Sequence, residues 1–261
     1  MNTTFDVSSP FDFTGATSVV LGGATGLGLA MAEGLAAHGA AVCVASRSAE
    51  RARSAAAALG ERFGTPCYGC AADAASEDAI NRLRDHVVDL FGGRVNIAID
   101  SAGINVRNPI DQISLAEFEA VQRVNITGAF LFARAMHPLL RAAGWGRLIN
   151  VASILASRSF PFRTSYAASK GAMLQLTRTL AVEWAAEKIT VNAISPGWFI
   201  TDMTRPVLDN PEVYRQFCTN IPMARFAEPH EIVTACLFLA SPASSYVTGA
   251  EIVVDGGRMV T

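Results

Sequence analysis

From residue 17 onward, short β-branched or apolar runs alternate with longer Ala- and Leu-rich stretches whose apolar positions recur at helical spacing. The runs predict strands at Thr17–Gly22, Ala40–Ser46, Pro66–Ala71, Val95–Asp100, Arg147–Ala152, Thr190–Ile194 and Glu251–Val254. Between them, helices are expected over Leu27–His38, Glu50–Phe63, Glu77–Phe91, Leu115–Leu140, Ser165–Ala186 and Pro229–Leu239, several opening after a Ser or Glu suited to a helix N-terminus. Strand–helix alternation is the pattern of repeated βαβ units, which requires a parallel sheet covered by helices on both faces. The expected fold class is therefore α/β: one doubly wound, seven-stranded parallel sheet in the order 3-2-1-4-5-6-7 over residues 15–261, preceded by an N-terminal arm at 1–14. Residues 195–226 show no periodicity and are expected to form an irregular loop over a substrate, because loops of that length are uncommon unless functional.

Composition narrows the partners. The 261-residue chain is 51% hydrophobic, enough for a substantial core, and its formal charge of −2 with 17% charged residues provides no field for nucleic acid or an anionic membrane. A small-molecule partner is expected. Residues 1–14 lack the basic start and apolar run of a secretory signal, and no run of about 18 apolar residues occurs. The expectation is a cytoplasmic protein. Five cysteines cannot all pair within one chain. Cys67 and Cys70 have C-x-x-C spacing, but no second pair completes a tetrahedral set, so no metal is expected.

Gly22, Gly26 and Gly28, with Thr25 and Leu27 in the same turn, fall between the first strand and the first helix. There bare backbone can approach a pyrophosphate and helix N-terminal N–H groups can hold it. Glycines in a tight turn need no ligand, so this signal alone also fits a structural bend. At the end of the second strand a carboxylate would bind a ribose 2′-hydroxyl, whereas arginine accepts a 2′-phosphate. The residues there are Ser46, Arg47 and Ser48, with no acid among them. NADP(H) is therefore favoured, with NAD(H) left open.

Tyr166 and Lys170 stand four residues apart in a predicted helix and so share one face. An ammonium about 4 Å from the phenol would lower its pKa from about 10 by up to roughly 3 units, into the range useful for proton transfer. Ser153 follows the fifth strand, where a hydroxyl could donate to a substrate carbonyl, and the G-x-S-x-G nucleophile elbow is absent around it.

Tyr166-Ala167-Ala168-Ser169-Lys170, with Ser153 upstream, resembles the active site of the short-chain dehydrogenase/reductase family. Leu21 to Gly28 resembles its T-G-x-x-x-G-x-G loop, Asp73-Ala74 its adenine-contacting pair, Asp100-Ser101-Ala102-Gly103 its N-N-A-G segment, and Asn125 its catalytic asparagine. Pro196-Gly197 through Phe199 and Thr201 resembles its nicotinamide-binding stretch. The resemblance implies a Rossmann-type NAD(P)(H) oxidoreductase acting on an alcohol or ketone. Tyr166 would exchange the proton, Lys170 would hold the nicotinamide ribose, Ser153 would orient the substrate oxygen, and Asn125 would anchor a water linking Lys170 to solvent. The sequence departs from the family at Leu21, where a Thr is usual, and at Asp100-Ser101, where Asn-Asn is usual. An ionised Asp cannot donate the hydrogen bonds of an amide, so an altered network is expected there.

Asn105, Arg107, Leu155, Arg163 and Trp198 fall on segments expected to surround the reacting carbon, and Arg158, Met203 and Arg205 accompany them. Guanidinium groups beside aromatic surface fit a substrate with a carboxylate or several hydroxyls, and equally fit solvated surface arginines. Within the family, the wording at 101–107 and 226–257 is similar to gluconate 5-dehydrogenases and 3-oxoacyl-acyl-carrier-protein reductases. The resemblance also implies a homotetramer. A non-catalytic NADP(H) sensor and an epimerase or dehydratase are the rival readings, the first marked by loss of the Tyr or Lys.

Overall fold

A computed structural model describes residues 8–261; residues 1–7, the first half of the expected arm, lie outside the described residues. The strands are β1 Thr17–Leu21, β2 Ala41–Ser46, β3 Cys67–Ala71, β4 Ile97–Asp100, β5 Gly146–Val151, β6 Ile189–Pro196 and β7 Glu251–Val254. They pair in parallel as one sheet in the order β3-β2-β1-β4-β5-β6-β7, the order expected of the doubly wound fold. The helices are α1 Gly26–Ala37, α2 Ala49–Phe63, α3 Glu77–Phe91, α4 Leu115–Gln122, α5 Gly128–Ala142, α6 Thr164–Trp184, α7 Arg205–Leu208, α8 Pro211–Cys218 and α9 Val233–Ala240. Among the described residues, no helix is long and apolar enough to cross a membrane.

The twofold alternation of strand side chains builds the two layers. Val20, Val42, Val44, Ile97 and Ile99 pack with α1, α2 and α9, whereas Val19, Leu21, Cys43, Ala45, Ala98 and Leu148 pack with α3, α5 and the end of α6. Local chemistry sets the helix ends. Ser48, Ser76 and Ser114 accept hydrogen bonds from Arg51, Ala79 and Glu117 backbone N–H groups at the starts of α2, α3 and α4. Gly64 and Gly92 end α2 and α3 in the left-handed conformation.

Two expectations are corrected. The helix predicted over Leu115–Leu140 is interrupted by a π-helical turn at Arg123–Thr127, which carries Asn125. Just after it, a Cβ on Gly128 would stand 2.8 Å from the Ala74 carbonyl oxygen, so the helix passes directly against the loop after β3. The stretch 195–226 is not wholly irregular. β6 extends to Pro196, and α7 and α8 follow, with the Asn210 side chain accepting from Glu212 and Val213 N–H groups ahead of Pro211. Trp198 stacks on Phe226 at 5.6 Å between centroids and meets Phe217 edge-on at 4.6 Å, which folds this segment onto itself, and it meets Phe160 of the loop after β5 edge-on at 6.2 Å.

A Cβ at Gly69 of β3 would stand 2.3 Å from the Ala52 carbonyl of α2, while one at Gly60 meets only ordinary contacts from 3.5 Å outward. Gly69→Ala is expected to lower stability by about 1–3 kcal/mol through overpacking. Gly60→Ala, inside α2, is expected to raise it by about 0.5–1 kcal/mol. Urea midpoints of the two variants check the opposite signs.

Candidate active site

The carboxyl ends of the strands open into one cleft. The turn after β1 leaves no room for side chains: Gly22 has φ +78°, and a Cβ there would stand 2.8 Å from the Ser101–Ala102 backbone. A Cβ at Gly28 would stand 2.2 Å from the Gly22 carbonyl oxygen. Thr25, at the N-cap of α1, makes no capping hydrogen bond with its side chain, and no acid occupies the first turn. The helix N-terminus therefore presents donors and positive potential without an internal partner, which fits a pyrophosphate.

A cavity of about 480 Å³ extends from this turn and is lined by Gly22, Thr25, Ser46, Arg47, Asp73, Ala74, Ser101, Ala102 and Gly103. Sequence reasoning missed Arg51, four residues after Arg47, which lines the same end. Its place in the first turn of α2, directly after the end of β2, is the signal that could have found it. Among the described residues, neither arginine is paired with a carboxylate. Two unpaired guanidinium groups with no acid at the end of β2 fit a 2′-phosphate.

A second cavity of about 220 Å³ shares Gly22, Thr25, Ser101, Ala102 and Gly103 with the first, and adds Gly26, Leu27, Ser153, Tyr166, Lys170, Pro196, Gly197, Phe199 and Thr201. A third, of about 60 Å³, shares Ser153, Tyr166 and Gly197 with the second and is lined by Asn105, Arg107, Leu155, Arg163 and Trp198. All five residues expected at the substrate thus converge beside Tyr166. Met203 and Thr204 from the turn before α7 close the same space. Gly28 lines none of these cavities and acts by letting α1 pack on the turn.

Electrostatics around Tyr166 differ from the expectation. Burial raises the phenol above its ordinary range, while the Ser153 hydroxyl and the Arg107 and Arg163 charges favour the phenolate. Among the described residues, Lys170 Nζ makes no hydrogen bond to the phenol oxygen. It donates to the Val151 carbonyl at 2.6 Å and lies 5.7 Å from the centroid of the Tyr166 ring. Burial lowers Lys170 to about 8, and the Asp100 carboxylate opposes that shift. The i, i+4 spacing did place both side chains on one face, but the β5 carbonyl takes the ammonium's hydrogen bond.

Asn125, fully buried in the π-helical turn, lines none of the cavities. Its amide donates to the Ile104 carbonyl and to Ser169 Oγ, each at 3.0 Å, and accepts from the Ile104 N–H at 2.9 Å. Ser169 in turn donates to the Tyr166 carbonyl at 2.7 Å. This chain of bonds ties the loop after β4 to the helical turn that carries Tyr166.

Fold and cleft together define a nucleotide-binding α/β protein in which Tyr166 stands between two larger cavities and a small polar pocket. A family model described as enoyl-(acyl carrier protein) reductase matches residues 22–259. Galactitol 2-dehydrogenase (L-tagatose-forming) of Cereibacter sphaeroides is 37% identical over 258 residues, covering 98% of this chain and 99% of that protein. The 3-oxoacyl-[acyl-carrier-protein] reductase of Aquifex aeolicus is 33% identical, covering 93% of this chain and 97% of that protein. The crystal structure of a gluconate 5-dehydrogenase from Burkholderia cenocepacia J2315, in complex with NADP and tartrate, superposes with a TM-score of 0.93 at 31% identity, covering 98% of this chain and all of that one. The chain belongs to the short-chain dehydrogenase/reductase family of oxidoreductases.

Asn125→Ala removes the side-chain partners of the half-buried Ile104 N–H and C=O. The expected loss is about 1–3 kcal/mol, read as a lower urea midpoint at unchanged m-value.

Proposed function

We propose that this protein is an NADP(H)-dependent oxidoreductase interconverting a secondary alcohol and a ketone on a polyhydroxy acid, a sugar acid of the gluconate/5-ketogluconate kind. The continuity of the cleft carries the reading: it runs from Arg47 and Arg51, past Tyr166, Ser153 and Lys170, to Arg107, Arg163 and Asn105. NADP(H) would lie along the first two cavities, with Arg47, Arg51 and Ser46 at its 2′-phosphate, Asp73 and Ala74 at the adenine, and Phe199 and Thr201 at the nicotinamide. When bound it supplies or accepts the hydride.

The pocket's polar groups support an anionic, hydroxylated substrate. Arg107 and Arg163 have no carboxylate partner among the described residues, and burial and the Arg107 charge both lower Arg163. Each guanidinium makes one backbone hydrogen bond here, to the Met203 and Phe162 carbonyls, leaving further N–H groups for a ligand. The Asn105 Oδ1 atom is buried without a donor, a vacancy that a substrate hydroxyl satisfies. A hydroxy acid, tartrate, accompanies NADP in the similar Burkholderia structure.

Tyr166 gives its proton to the carbonyl oxygen in reduction and takes it back in oxidation, while Ser153 donates to the same oxygen. Because burial holds the phenol above its ordinary range, it is protonated at neutral pH and ready to act as the acid. The Lys170 ammonium, held at Val151, keeps positive charge near the phenolate left after proton transfer.

The first experiment follows NADPH and NADH oxidation at 340 nm with 5-ketogluconate, a β-ketoacyl thioester and a neutral ketose. NADPH-linked turnover of the keto acid is expected. A preference for the thioester moves the protein to the acyl-carrier branch, and activity with NADH alone removes the role given to Arg47 and Arg51. Tyr166→Phe is expected to lower kcat by about 10²–10⁴-fold with NADPH binding, read by fluorescence titration, nearly unchanged.

Reduction in the parent chain is expected to decline as pH rises through about 8, where Lys170 loses its proton. Arg107→Ala and Arg163→Ala are expected to raise KM for the keto acid far more than for a neutral ketose. Equal effects on both would refute carboxylate recognition.

A further inference from the structure

Asp100 ends β4 with a carboxylate that is only 1% exposed, at the position where the resembled family motif carries a neutral Asn. It pairs in register with Leu21 of β1 and Asn150 of β5, both uncharged. Residues paired in register leave the sheet on the same side. Here that is the side covered by α6, because the Asn150 amide donates to Thr177 of α6 at 2.9 Å. Lys170, on the same helix and 3% exposed, reaches the β5 carbonyl of Val151 at 2.6 Å. The loop after Asp100 runs alongside that ammonium, since a Cβ on Gly103 would stand 3.7 Å from Lys170 Nζ and 3.6 Å from Asn125 Oδ1. The Asp100 carboxylate accepts from the Ala102 N–H at 3.1 Å, which holds it at the head of this loop. Among the described residues, Lys170 makes no direct ion pair. The Asp100 charge favours the protonated form of Lys170 and the Lys170 charge the ionised form of Asp100, while Arg107 and Arg163 act on Tyr166.

We infer that Asp100 is a positioning residue for the reaction: its buried carboxylate supplies the countercharge that keeps the Lys170 ammonium protonated inside the site, which a neutral amide at that position cannot do. Burial pushes Asp100 up to about 6 and Lys170 down to about 8, and each charge resists the other's shift. Both groups are therefore charged together between about pH 6 and 8. Below that window Asp100 becomes neutral and the ammonium loses its countercharge; above it the ammonium itself is lost. The catalytic meaning of this pairing rests on the proposed role of Tyr166 and Lys170, but the pairing can be measured without substrate or cofactor.

The chain contains two lysines, Lys170 and Lys188, and Lys188 is exposed. A sample labelled with ¹³Cε-lysine therefore gives two signals, assigned with Lys188→Arg. In the parent chain the Lys170 signal is expected to titrate near about 8, with a smaller inflection near about 6 as Asp100 takes up its proton. Asp100→Asn is expected to lower the Lys170 midpoint by on the order of one pH unit, to remove the smaller inflection, and to move the basic limb of kcat/KM for reduction down by the same amount. An unchanged or higher Lys170 midpoint in Asp100→Asn overturns the inference. Should that variant not fold, absence of the inflection in the parent chain overturns it equally. Failure of every keto acid in the turnover assay would leave these titrations standing, so the two readings fail separately.

Discussion

The cleft depends on one steric constraint, the contact of bare backbone with bare backbone where β1 turns into α1. Gly28 sits against the Gly22 carbonyl, and Gly22 sits against the Ser101–Ala102 peptide, each closer than any Cβ tolerates. This contact draws the start of α1 down onto the sheet and brings the loops after β1 and β4 together. The N-terminal N–H groups of α1 consequently point along the same channel that the ends of β2 and β3 line with Arg47 and Asp73. Gly26, by contrast, meets Thr201 at ordinary distance, so the turn also sets how closely the segment after β6 approaches.

Beyond the turn, the site is governed by competition between desolvation and charge. Burial opposes the charged form of four ionisable groups around its centre: it raises Tyr166 and Asp100 and lowers Lys170 and Arg163. The opposing charges are distributed. Two arginines act on the phenol from the substrate side, and one carboxylate acts on the ammonium from the sheet side. Uncharged groups make the rigid connections, as when Asn125 joins the Ile104 backbone to Ser169 and Ser169 joins the carbonyl of Tyr166. Hydrogen bonds fix the positions, and separated charges set the protonation states.

Strand order and both helical layers were legible because burial on two faces writes continuous apolar runs into strands such as Val19–Leu21 and Ile97–Ile99, and because parallel strands oblige a helix between them. The π-helical turn was not legible. Its extra residue leaves the helical periodicity of Leu115–Leu140 nearly intact, and the close approach of Gly128 to Ala74 beside it is tertiary. α8 was overlooked although Asn210-Pro211-Glu212 is a helix start and its apolar positions fall on one side, because an 8-residue helix offers only about two turns of periodicity. The convergence of Asn105, Arg107, Leu155, Arg163 and Trp198 followed from topology, since all lie beyond carboxyl ends of neighbouring strands. The direction of the Lys170 ammonium did not, because spacing fixes a face of a helix and not the acceptor a long side chain will choose.

That acceptor changes how the departure at Asp100 is understood. Read along the chain, Asp for Asn removes a donor and only weakens a network. In three dimensions the same substitution introduces a charge on the side of the sheet that faces α6, the helix carrying an ammonium that burial would otherwise strip of its proton. An ammonium bonded to one backbone carbonyl and to the Met173 sulfur has its direction fixed but its charge poorly compensated. A carboxylate held apart from it by the loop after β4 can compensate that charge without competing for the hydrogen bond. An ammonium carries three donors, so Lys170 keeps its hydrogen bond to Val151 while the Asp100 charge at the head of that loop favours its protonated form.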